Sequence, residues 1–210
     1  MTVHQQDAVQ THRSKSTMTA VAVCLLGAVL AAATIPVIGN TFAGTDGQAI
    51  TERAIDNTGR LQLLSIISVY AGAALIFAAV RLARRVGGMA GQLIGGSGVA
   101  IAVLLVAYNS AFTAVASVGS FTVDSPSAGL AEAGLVVANA LDLARFAPGL
   151  VLVVAASYAK DAVPKPLRIL AIVLAVATVF PMTTWAAAMA IPVWMGIAGA
   201  FASPMKEAHH

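Results

Sequence analysis

Six runs of apolar residues, each long enough to cross a lipid bilayer as a helix, divide this chain, and its charges fall almost wholly between them. A hydrocarbon core about 30 Å thick needs roughly 20 such residues in helical form. The runs are approximately Met18 to Gly39, Leu61 to Val80, Leu93 to Val115, Ala133 to Tyr158, Leu167 to Thr183 and Ala186 to Ser203. With 59% hydrophobic and 10% charged residues in 210, a water-soluble core of this size would leave much apolar surface wet. Lipid is therefore the expected solvent. Helices follow because backbone polar groups must pair within a span, and these runs are too long and too uniform for barrel strands. The expected fold class is all-α: a polytopic bundle of six transmembrane helices over residues 18–203, between a polar tail at 1–17 and a short tail at 204–210.

Basic residues give the orientation, since Lys and Arg near span ends are retained in the cytoplasm. With an inside N-terminus, Arg13, Lys15, Arg81, Arg84, Arg85, Lys160, Lys165, Arg168 and Lys206 lie inside. Arg53 and Arg60 lie outside, and Arg145 is embedded. Both termini are thus expected in the cytoplasm, with the chain in the plasma membrane of a bacterial cell. The first run reaches Ile38, longer than a signal-peptide core, and reads as a retained anchor. The last two runs are nearly continuous. Pro181 and the stretch Met182-Thr183-Thr184-Trp185 predict a tight outer hairpin, and a five-span alternative would put the C-terminus outside. In the first outer loop, Asn40 to Arg60, a short interfacial helix is expected over Gln48 to Asp56, with Thr45 as its cap.

Asp142 and Arg145 are the only two charges placed deep inside an apolar run. Three residues apart on a helix, they lie on adjoining faces and within reach of each other. An ionised group near the bilayer centre costs about 2.5 to 3.5 kcal/mol, so such groups face the bundle and find partners. Asn139 lies one turn outward on the same run. Asn109, with Tyr108, falls at similar depth in the third run and is the expected cross-helix contact, and Tyr70 is near the middle of the second. One reading of this set is a polar pocket for a lipid head group, a quinone-like ring or a transported solute. The other is a helix-packing pair near the outer interface with Arg145 snorkelling. Pro148-Gly149 should interrupt the helix beside the pair, as at binding sites in transporters.

Gly87, Gly91 and Gly95 recur every four residues, with Gly98 beyond, and form a small-residue stripe for close helix packing, internal or with a partner. Ile35-Pro36-Val37 recurs as Ile191-Pro192-Val193, yet the two prolines do not occupy corresponding spans of the two halves, which argues against an inverted repeat. The histidines at positions 4, 12, 209 and 210 all lie in the tails, so no haem or metal site is expected within the membrane. Cys24, the single cysteine, reads as a small apolar filler. No catalytic serine, histidine and acid set, paired carboxylates or tandem acidic residues for magnesium emerge, and the reading leans away from an enzyme. No cofactor is expected. The basic clusters at Arg81 to Arg85 and Lys160 to Arg168 suit anionic lipid heads rather than nucleic acid.

Asn57-Thr58-Gly59-Arg60-Leu61 opening the second run, Pro164 to Leu170 opening the fifth, and Ile191 to Gly196 in the last resemble features of small six-span bacterial membrane proteins of unknown function. The Ala, Val and Gly-rich makeup is similar to that of an actinobacterial chain. The resemblance implies the fold and carries no catalytic residues. The expected role is a non-enzymatic accessory or regulatory subunit of a membrane complex, with membrane lipids and a membrane-protein partner or second copy as its contacts. The alternative is a small transporter or a lipid- or hydrophobic-ligand-binding protein using the Asp142 and Arg145 pocket.

Overall fold

A computed structural model of the chain describes residues 17–35, 52, 56–121 and 128–203, and every regular element among them is helical. The helices are α1 (Thr17–Ile35), α2 (Thr58–Val86), α3 (Gly88–Phe121), α4 (Ala128–Ala144), α5 (Phe146–Tyr158), α6 (Lys165–Val179) and α7 (Pro181–Phe201). Five segments are long and apolar enough to cross a membrane: α1, α2, the first part of α3 to Ala111, the run Val136–Tyr158, and Met182–Phe201 within α7. Residues 1–16, 36–51, 53–55 and 204–210, with Thr45 and Pro36 among them, lie outside the described residues, and of the helix expected over Gln48 to Asp56 only Glu52 and Asp56 are described, both helical.

Three expectations change. The fifth run forms α6, of only 15 residues, about 22 Å at 1.5 Å per residue and shorter than the hydrocarbon core. The hairpin break falls at Phe180, and Pro181 to Trp185 form the first turn of α7 rather than a loop. Proline suits that place because its missing N–H is one that no helix start can pair. The threonine hydroxyls then close the end of α6: Thr183 donates to the Ala177 carbonyl at 2.8 Å and Thr184 to that of Phe180 at 2.6 Å. The connector expected between the second and third runs shrinks to a turn at Gly87 and Gly88, with φ of 68° and 54°. Glycine adopts that left-handed backbone without the Cβ clash of other residues.

Contacts along the helices fix their relative directions. Cys24 packs with Ala78 and Ala200, while Gly27 lies against Ala74 and Gly196 against Ala28. As α1 advances, both α2 and α7 run backward, so α1 is antiparallel to each. Trp194 donates from its indole N–H to the Leu167 carbonyl at 3.0 Å. These two residues lie almost equally far from the Phe180 break, as in an antiparallel α6–α7 hairpin. Arg81 Nε donates to the Gly199 carbonyl and the Ser203 N–H to that of Ala162, both at 2.9 Å. The end of α2, the α5–α6 connector and the end of α7 therefore share one end of the bundle, together with Arg84, Arg85, Lys160, Lys165 and Arg168. The start of α1 lies at that end too.

Leu75, Leu82, Ile101, Leu152, Trp194 and Met195 form the centre of the core. Many other large apolar side chains face outward, among them Ile66, Phe77, Val103, Val136, Ile172 and Val176. In lipid these need no cover, and helix association rests instead on close packing. The glycine stripe supplies it. A Cβ at Gly91 would stand 2.5 Å from the Ala83 carbonyl oxygen, and one at Gly98 would stand 2.5 Å from the Ala79 Cβ. Gly95 faces Ala83 as well, so Gly91, Gly95 and Gly98 join α3 to α2, while Gly87 stands apart in the turn.

Candidate functional site

The run containing the charged pair is interrupted where the pair lies. Pro148 has no N–H, so the Ala144 carbonyl loses its i+4 donor, and the proline ring crowds the same turn. α4 accordingly ends at Ala144 and α5 begins at Phe146, with Arg145 between them. The Arg145 N–H reaches back only three residues, to the Asp142 carbonyl at 3.1 Å. The four-residue pattern resumes with the Gly149 N–H on the Arg145 carbonyl at 2.9 Å.

Arg145 turns inward from this break and is 3% exposed. Its Nη2 is ion-paired with Asp142 Oδ1. The guanidinium lies over the Tyr108 ring, 4.6 Å from its centroid, a placement that attracts the cation to the π face. Nε and Nη1 are buried and have no hydrogen-bond partner among the described residues. Arginine carries five N–H donors and no acceptor, so the ion pair and the ring leave much of its donor capacity unused. A buried polar group left unpaired costs about 1–3 kcal/mol, and a charged one more.

The remaining candidates separate. Asn109, expected as the cross-helix contact of the pair, is fully buried but faces α2, where its Nδ2 donates to Ser68 Oγ at 2.7 Å, and Tyr108 meets Arg145 in its place. Ser68 in turn donates to the Leu64 carbonyl at 2.6 Å, and Thr113 donates to that of Leu61 at 2.8 Å. This makes a separate polar ladder between α2 and α3, in which Asn109 Oδ1 has no donor among the described residues. Ser68 and Thr113 escaped sequence reasoning, although short hydroxyls within apolar runs are common hydrogen-bonding partners across membrane helices. Tyr70 is 66% exposed and Asn139 is also exposed, so neither joins the pair.

Tyr108 lies 18 residues beyond Ala90, about 27 Å along α3, and Ala90 borders the recess at the basic end. The Arg145 guanidinium thus sits in the half of the bundle remote from that end. Chemically the arrangement is a desolvated cation with spare donors, held by one carboxylate and one ring, beside a break in the helix. No metal-ligating cluster of histidine, cysteine, aspartate and glutamate occurs among the described residues. Comparison with protein-family models, curated proteins and solved structures yields no match to this chain.

Proposed function

We propose that this protein is a small six-span membrane protein that binds, and as a transporter would carry, a molecule bearing a carboxylate or phosphate at Arg145. The observation that carries this reading is the pair of donors, on an arginine only 3% exposed, that have no hydrogen-bond partner among the described residues. An anion arriving there satisfies Nε and Nη1 in a low-dielectric surrounding, where charge-assisted hydrogen bonds are strong. Asp142 holds the arginine in place and limits the affinity by competing for it. The interrupted helix supports the reading, since broken spans supply binding groups in transporters.

Six crossings require α6 to span a locally thin stretch or to tilt little. The shared position of the basic residues supports a reading in which that end, and both termini, face the cytoplasm of a bacterial cell. The anion site would open toward the outer side. Reporters fused after His210 and inserted at Pro126 should report opposite sides, and the same side for both would refute this topology.

The accessory-subunit reading loses its named surface, because the glycine stripe is occupied by α2. It keeps only the lipid-facing sides, so the ligand reading stands first. Native mass spectrometry of the protein extracted in mild detergent separates the two. A small anionic molecule retained by the wild type and lost from both Arg145→Gln and the Asp142→Leu/Arg145→Leu double variant supports the proposal. The double variant removes both charges together, so it should remain folded. A stoichiometric protein companion unaffected by either variant would favour the subunit, and a bare protein would refute ligand retention.

A further inference from the structure

Between the start of α3 and the end of α5 runs an open groove of about 580 Å³, lined by Met89, Leu93, Leu150, Val151, Val154 and Tyr158 among others. At the basic end it continues, through the shared residues Ala90 and Tyr158, into a recess of about 190 Å³ bordered by Val86, Ala159, Lys160 and Asp161. One end of this continuous depression is apolar and the other carries a lysine. Tyr158 is 76% exposed and lies at the junction, where an amphipathic ring suits the boundary between chain and head group. A second groove, between α2 and α3 along Val69, Gly72, Ile76, Val103 and Val106, has about 420 Å³ and no charged residue on its border.

We infer that the α3–α5 groove is a site for an anionic phospholipid, with one acyl chain along Leu93 and Val154 and the phosphate at Lys160. The ammonium is an exposed point charge on a flexible stem, able to follow a phosphate. Asp161 stands beside it and opposes the phosphate. Against that one carboxylate, Arg84 and Arg85 in the last turn of α2 lie at the same end of the bundle and add to the attraction. The α2–α3 groove offers nothing to distinguish one lipid from another and serves as the internal contrast. This inference is independent of the Arg145 site, which lies in the other half of the bundle.

The test reconstitutes the full chain in nanodiscs containing equal amounts of phosphatidylcholine and phosphatidylglycerol, releases it for native mass spectrometry, and counts the lipids retained by headgroup. Wild type should retain a lipid with preference for phosphatidylglycerol. Lys160→Gln should lower that preference about fivefold, the factor expected for one basic residue at a membrane surface. Val154→Trp, at a 40% exposed position, should fill the groove and remove the headgroup-selective lipid, leaving at most the unselective retention of the α2–α3 groove. Arg60→Gln, at the opposite end of α2, should change neither quantity. An unchanged preference in Lys160→Gln would overturn the inference, as would a headgroup-selective lipid retained undiminished in Val154→Trp or a wild type that retains none.

Discussion

Replacing Asp142 by asparagine removes the one anion that Arg145 meets among the described residues, while leaving the guanidinium 3% exposed and over Tyr108. Breaking a buried ion pair from one side costs about 3–5 kcal/mol, because the surviving charge is left uncompensated. Asparagine keeps an oxygen where the carboxylate stood, and a hydrogen bond to Nη2 returns about 1 kcal/mol. The Tyr108 contact is the same in both proteins and cancels. The expected loss is therefore about 2–4 kcal/mol. In the Asp142→Leu/Arg145→Leu variant both charges go together, and the loss should fall below about 1 kcal/mol or reverse in sign. Cys24 supplies the assay: it is the chain's single cysteine and is fully buried, so a maleimide reaches it only when the bundle opens. Modification followed across a titration with sodium dodecyl sulfate gives the unfolding free energy of each variant. An Asp142→Asn protein within about 0.5 kcal/mol of wild type would mean that Arg145 has water beside it. The desolvated cation on which the proposed function rests would then not exist.

Gly98→Val should destabilise the protein by about 1–3 kcal/mol through overpacking against Ala79, whereas Gly96→Ala, with nothing within 4 Å of the added Cβ, should be neutral or stabilising by about 0.5–1 kcal/mol. Unfolding titrations of the two variants check this contrast, and equal effects would place the stripe on an outer face. Trp194→Phe should cost about 0.5–1.5 kcal/mol for the lost bond to the Leu167 carbonyl. With Trp194 buried and Trp185 half exposed, a quencher carried on lipid chains should act on Trp185 far more than on Trp194; comparable quenching in the two single-tryptophan variants would rule out the α6–α7 hairpin. Ser68→Ala should cost about 1–3 kcal/mol by leaving the Asn109 amide without its acceptor. Asn109→Leu/Ser68→Ala should recover most of that loss, and purely additive effects in the double-mutant cycle would show that the two side chains do not meet.

The long apolar runs made the membrane helices legible, because bilayer thickness ties length to function. The spacing of Asp142 and Arg145 made their pairing legible as well, since i and i+3 on a helix lie within reach regardless of what surrounds them. Depth alone favours Asn109 as the contact of the pair, and the structure gives that place to Tyr108. Adjacent residues point about 100° apart, and the rotation of α3 is set by Gly91 and Gly98 against α2, a contact between segments. The same contact turns Asn109 toward Ser68 and Tyr108 toward the break after α4. Tyr70 failed for a related reason: position along a span gives depth and says nothing about face. At Phe180 the runs on either side are uniformly apolar, so hydropathy alone could not tell whether Pro181 ended one helix or began the next.

The two polar groups of α3 behave differently for a reason that bears on function. Asn109 lies on the face that the glycines press against α2, where backbones come close and a short amide can bridge to a serine. Three of the four polar groups in that ladder thereby find protein partners, and the result is helix adhesion. Tyr108 points about 100° away from Asn109, toward the turn at Arg145 where Pro148 removes a backbone donor. There a single carboxylate and a ring are all that the described residues bring to Arg145. If the guanidinium served packing alone, a leucine pair at 142 and 145 would pack as well without the cost of burying charge. Keeping the pair while Nε and Nη1 meet no acceptor among the described residues is what the proposed anion site would require, with Asp142 as the partner to which Arg145 returns.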